Sequence, residues 1–211
     1  HRRMVTEAGR AAKIRTLAVG YRLAPEHVYP AAVEDVLAVY RALVETVDAA
    51  RIGIYGCSAG AVLTTQAVAR ILHDGLPRPR AIGVFHGAPI EFAGDAALAQ
   101  ALFDPRAGSG ATPKVEQLPY LRGADLSDPL VLSAGHPELL AAFPPSLLIS
   151  ATRDFAASAV SVMHRRLLAA GVDALFVLFD GLWHAHHMDA GLPESVETYK
   201  LISDFFHKYL Y

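Results

Sequence analysis

Cys57 is the only cysteine among 211 residues, so no intrachain disulfide can form and no paired-cysteine zinc site exists. Both absences fit a reducing, cytoplasmic compartment. Positive charge is in short supply as well. Nineteen Lys and Arg stand against 21 Asp and Glu, a net charge of -2, which provides no basic field to gather the phosphates of a nucleic acid. No apolar run reaches the roughly 18 to 20 residues that a membrane span requires, because Gly, Pro or a charge interrupts each candidate. His1-Arg2-Arg3-Met4 leads into a helix-like stretch with no apolar signal core. A soluble protein with small-molecule partners is the expectation.

What is present is apolar: 53% of the residues are hydrophobic, enough for one substantial core, and residues 1–211 read as a single domain. Short apolar runs alternate with amphipathic ones. Residues 14–19 read as a strand, followed by a turn at Pro25 and Pro30. From Pro30 onward, Val33, Val36, Leu37, Tyr40, Leu43, Val44 and Val47 recur at helical spacing and form one apolar stripe. Residues 51–55 read as a strand, and Leu63, Ala67, Ile71 and Leu72 mark a helix that stops before Gly75. Strands follow at 81–85, 146–151 and 174–179, with a helix over 156–170 and a last one reaching Tyr211. This alternation predicts an α/β fold with a mostly parallel sheet flanked by helices, since parallel neighbours need long crossovers. Between about 88 and 145, glycine and proline punctuate short segments, which read as an insertion. It either walls a substrate pocket or runs over the surface without function.

Gly56-Cys57-Ser58-Ala59-Gly60 matches G-x-S-x-G between an apolar strand and an amphipathic helix. A serine at such a turn is lifted out of the fold, and small neighbours give the turn its space. The helix start aims its N–H groups at the reacting centre, so the Ala59 amide is placed to stabilise an oxyanion. A serine hydroxyl is a poor nucleophile at neutral pH and needs a base, which in turn needs an orienting acid. Asp154, directly after the strand at 146–151, and His184, directly after the strand at 174–179, stand in the right order to be that acid and base.

Other residues compete for these roles. Asp180 also follows a strand, but it shares a loop with His184 and reads more naturally as a turn residue. His86 follows the strand at 81–85 and is the second choice of base, or else a residue that lines the pocket or caps a loop. His184, His186, His187 and Asp189 resemble a metal cluster. No H-E-x-x-H helix is present, however, and one catalytic histidine with exposed neighbours explains the group without an ion, so neither metal nor cofactor is expected. Cys57 reads as a small apolar filler. Phe155 and Trp183 flank the acid and the base and are candidates for the floor of a substrate pocket.

These residues together resemble the hormone-sensitive-lipase-like branch of the α/β-hydrolases, which includes bacterial carboxylesterases and lactone hydrolases. Tyr21-Arg22-Leu23-Ala24-Pro25-Glu26, Tyr29-Pro30-Ala31-Ala32 and Glu34-Asp35 look like that family's segment ahead of the nucleophile strand. Gly181-Leu182-Trp183-His184 looks like its histidine loop. The resemblance implies hydrolysis of carboxylic esters or lactones through an acyl-enzyme on Ser58, without a cofactor. It also implies a homodimer through an edge strand and the last helix, although no residue here requires one. The alternatives are a non-catalytic small-molecule receptor on the same fold and an inactive fragment of a longer esterase. Three positions depart from the family pattern: Cys57 stands where Asp is usual, Ala61 where a second Gly is usual, and His186 where an aromatic often sits. The family's His-Gly-Gly oxyanion loop does not occur in these residues. The expectation is therefore an α/β-hydrolase fold lacking its N-terminal strands.

Overall fold

The computed structural model describes residues 2–91, 94–96 and 115–211. Four strands, β1 (Gly53–Cys57), β2 (Ala81–Phe85), β3 (Ser146–Arg153) and β4 (Ala174–Trp183), form one sheet in the order β1-β2-β3-β4. Every neighbouring pair is parallel. Among the described residues, the longer helices are α1 (Arg2–Ala12), α2 (Ala31–Val44), α3 (Ala59–His73), α4 (Ala157–Ala169) and α5 (Pro193–Leu210).

Side chains alternate between the two faces of a strand, and the sheet uses both faces. Ile82, Val84 and Leu148 pack with Ala61 and Val68 of α3 and with Val160, Met163 and Leu167 of α4. Ala81, Phe85, Leu147, Ile149 and Ala151 point the other way, onto Tyr199, Ile202, Phe205 and Phe206 of α5. That is why β2 and β3 read as continuous apolar runs: a parallel sheet covered on both sides has no solvent face. The stripe of α2, with Val33, Leu37 and Tyr40, forms a further layer over Leu63, Ala67 and Ile71 of α3. Helix α1 packs on α5.

The sequence-derived boundaries shift in two places. The strand expected over 51–55 begins at Gly53, because Ala49–Arg51 is a short 3-10 turn whose Ala50 N–H donates to the Asp48 carboxylate. The strand expected over 14–19 does not form; these residues are irregular and Leu17 is 63% exposed. A strand needs ladder partners as well as apolar residues, and among the described residues no strand lies alongside this segment. Downstream, the chain turns through cis peptide bonds at Ala24-Pro25 and Tyr29-Pro30. Arg22 ties the turn to α2: its Nε lies 3.0 and 2.9 Å from the two carboxylate oxygens of Asp35, and its Nη2 lies 3.1 Å from the Ala31 carbonyl.

Of the insertion expected over about 88–145, residues 92–93 and 97–114 lie outside the described residues. The rest comprises short 3-10 turns and one helical turn at Pro137–Leu140, with a small apolar cluster of Val115, Leu121 and Val131. Among the described residues, no helix is long and apolar enough to cross a membrane.

Candidate active site

The sheet delivers its polar residues to one edge. In a parallel sheet all carboxyl ends lie on the same side, where α/β proteins bind their ligands. Ser58 follows β1, His86 follows β2, Asp154 follows β3 and His184 follows β4.

Ser58 sits at the sharp turn between β1 and α3 with φ 58 and ψ -119, a backbone region that costs a residue with a side chain about 1 to 3 kcal/mol. The surroundings hold it there: Ser58 N–H donates to the Phe85 carbonyl at 2.8 Å, and its own carbonyl accepts from Ala61 at 2.9 Å. The turn closes because Gly56 has no side chain; a Cβ there would lie 2.1 Å from the Gly60 carbonyl oxygen. Ala59 is the first residue of α3 and is exposed, leaving its amide at the helix start beside the serine.

His184 bridges the other two residues. Its Nδ1 lies 2.8 Å from Asp154 Oδ1 and its Nε2 lies 2.9 Å from Ser58 Oγ. A carboxylate only accepts hydrogen bonds, so Nδ1 carries the proton and Nε2 presents its lone pair to the serine hydroxyl. The loop is aimed by a bulge in β4. The β3–β4 register shifts between Ala151 and Arg153, and Gly181 takes φ 71 while donating to Thr152 Oγ1 at 2.7 Å. Asp180, the alternative acid, is exposed on this bulge and accepts from Thr152 Oγ1 at 3.2 Å.

Asp154 is fully buried and receives four donors: His184, His86 Nδ1 at 2.7 Å, Ser150 Oγ at 2.7 Å and Ala156 N–H at 2.9 Å. Burial alone would raise its carboxyl, but hydrogen bonds from His184 and His86 outweigh that and hold it well below the usual carboxylate range. His86, read from sequence as a second-choice base or pocket residue, is instead fully buried on the far oxygen of the acid. Nothing in the sequence marks Ser150, since a serine inside an apolar strand carries no motif.

The histidines beyond the triad correct another expectation. His186 and His187 were expected to be exposed, but both are completely buried, because the 3-10 turn His186–Met188 tucks them under α5. His186 accepts or donates at Thr198 Oγ1 over 3.0 Å, and the His187 carbonyl accepts from Tyr199 Oη at 2.8 Å. Asp189 stays exposed. Phe155 packs on His184 with ring centroids 4.7 Å apart, while Trp183 is 46% exposed at the end of β4.

Comparison with known proteins bears on this geometry. Residues 1–188 match the family defined by the alpha/beta hydrolase fold. An esterase of the bacterial hormone-sensitive lipase family superposes with a TM-score of 0.88 at 31% identity, over 100% of this chain and 71% of that one. The chain belongs to the hormone-sensitive-lipase family of α/β-hydrolases. An acetyl-hydrolase from Streptomyces hygroscopicus is 29% identical over 189 residues, 89% of this chain, and this chain spans 62% of that protein's length. A versiconal hemiacetal acetate esterase from Emericella nidulans is 39% identical over 79 residues, 37% of this chain and 27% of that protein.

Within the hormone-sensitive-lipase pattern, the departures seen in sequence have local explanations. Cys57 is buried among Phe85, Ile149 and Ala151, and burial pushes its thiol up to about 12. It is a filler without a reactive thiolate. His186 occupies a position where an aromatic is usual, and its ring packs 4.7 Å from that of Phe179.

Proposed function

We propose that this chain hydrolyses carboxylic esters of small acyl groups through an acyl-enzyme on Ser58. The observation that carries the reading is the unbroken line from Asp154 through His184 to Ser58, with hydrogen bonds of 2.8 and 2.9 Å. The Ser58 Oγ–H gives its proton to His184 Nε2 as the Oγ–carbonyl bond forms, and Asp154 stabilises the resulting imidazolium. The Ala59 N–H faces the oxyanion. Collapse of the tetrahedral species breaks the ester C–O bond, and the leaving alkoxide takes the proton from Nε2. Water then repeats the sequence: His184 removes its proton, hydroxide attacks the acyl carbonyl, and the carboxylic acid leaves as Ser58 recovers its hydrogen.

The names of the two sequence relatives, an acetyl-hydrolase and an acetate esterase, support short acyl groups over long ones. Lactones are cyclic esters and pass through the same steps. Phe155, tilted against His184, is the side chain best placed to limit the acyl group, and the exposed Trp183 is the neighbour of the base.

Fluorophosphonate labelling of the full-length protein, followed by peptide mapping, tests the nucleophile. The adduct is expected on Ser58, with p-nitrophenyl acetate turnover lost in Ser58→Ala. Absence of an adduct, or attachment to another residue, overturns the reading.

A further inference from the structure

Three histidines that take no direct part in the proposed ester hydrolysis meet behind Asp154. His86 follows β2, His186 and His187 follow β4, and none of the three exposes any surface. The His86 ring centroid lies 5.2 Å from that of His186 and 5.2 Å from that of His187, on which it stacks at 22°. One ring nitrogen from each residue lies within 4.8 Å of one from each of the others.

For His86 and His186, hydrogen bonds on the outside of the cluster decide which nitrogens carry protons. His86 Nδ1 faces the ionised Asp154 at 2.7 Å, so it holds the hydrogen; Nε2 keeps a bare lone pair and has no hydrogen-bond partner. The Thr198 hydroxyl gives its proton to the Glu194 carbonyl at 2.8 Å. It can therefore only accept from His186 Nε2, 3.0 Å away, which leaves the lone pair on His186 Nδ1. The Trp183 backbone carbonyl lies near this ring, but Nδ1 itself makes no hydrogen bond. None of the three rings exposes any surface, and burial disfavours the charged form of an imidazole. Buried lone pairs without donors are costly, and neutral imidazoles oriented by a carboxylate or a hydroxyl on their outer nitrogen are metal ligands in waiting.

We propose that His86, His186 and His187 form a binding site for one divalent transition-metal ion of the zinc class, enclosed between the carboxyl edge of the sheet and α5. Three imidazoles suit zinc, cobalt, nickel or copper and not the oxygen-seeking calcium or magnesium. Nitrogens about 2.0 to 2.1 Å from a tetrahedral zinc stand about 3.4 Å apart. The rings therefore need to close by at most roughly 1.4 Å from the 4.8 Å within which they already lie. His86, Asp154 and His184 also lie within 4.8 Å of one another, but there the facing nitrogens hold protons against the carboxylate and no lone pair is free. The ion would join the loop after β2 to the turn after β4. This site stands apart from the esterase reading, and ester turnover neither supports nor overturns it.

The test is cobalt(II) titration of the chelator-treated, full-length protein. Uptake of one ion per chain is expected, with the intense visible absorption of four-coordinate cobalt and displacement by zinc. His186→Phe and His187→Phe keep an aromatic ring against Phe179 and Tyr199 and are expected to weaken binding about 100-fold or more. His184→Asn is expected to retain it. The proposal is overturned by absence of uptake, by binding that survives His186→Phe, or by binding lost in His184→Asn. X-ray absorption on the cobalt-loaded wild type decides the matter if a variant misfolds: three imidazole nitrogens are expected, and fewer overturn the site.

Discussion

At Gly56 a single hydrogen in place of a methyl group holds the nucleophile turn closed. An alanine Cβ there would meet the Gly60 carbonyl at 2.1 Å, a backbone contact that no rotamer change relieves. Gly56→Ala is expected to destabilise the protein by about 3 kcal/mol or more, read by urea unfolding. Gly60→Ala meets nothing within 4 Å and, lying in α3, is expected to stay within about 1 kcal/mol of wild type. Cys57 permits a different measurement. With its thiol pushed up to about 12 and only 3% exposed, it holds almost no thiolate at pH 8. Iodoacetamide is expected to label it only under denaturing conditions, and rapid labelling of the native protein would contradict its placement. Asp154→Asn keeps the shape of the acid but lets His184 adopt the wrong tautomer, so kcat is expected to fall about 10⁴-fold. The meeting of Ser58, Asp154 and His184 was legible in the sequence because each follows an apolar run in a fixed order. The contact of His86 with Asp154 was not, because residues 68 apart in sequence carry no mutual signal until β2 and β3 are paired.

Elements were legible where one side of a segment is apolar and the other is not. Helix α4 shows how sharply burial divides such a segment: Leu167 is fully buried against the sheet while Leu168, the next residue, is 50% exposed. Leu167→Ala is expected to cost about 2 to 5 kcal/mol and Leu168→Ala within about 0.5 kcal/mol, a contrast that chemical denaturation of the two variants measures directly. Periodicity failed over residues 14–19 because hydrophobicity reports a wish for burial, whereas a strand also requires a neighbour for its N–H and C=O groups. It failed again at His186 and His187, where histidine's polarity suggests exposure but a 3-10 turn and the packing of α5 enclose both rings. The bulge in β4 at Asp180 and Gly181 was equally invisible, since it arises from the pairing with β3.

Across the molecule, four parallel strands bring Ser58, His86, Asp154 and His184 to a common edge although 126 residues separate the first from the last. The same convergence gathers the buried imidazoles, and an ion held by them binds the folded chain while the unfolded chain offers only scattered histidines. Binding to the native state alone adds about 2.7 kcal/mol of stability when free metal stands at 100 times its Kd. For a chain of this size, each kcal/mol moves Tm by about 2 to 4 °C. Zinc at that level is therefore expected to raise Tm by roughly 5 to 11 °C, and EDTA to reverse the rise. His186→Phe is expected to melt at one temperature with or without zinc, because the ring that replaces His186 still packs against Phe179 but has no lone pair to give. A shift that persists in that variant would place the stabilising ion elsewhere on the protein.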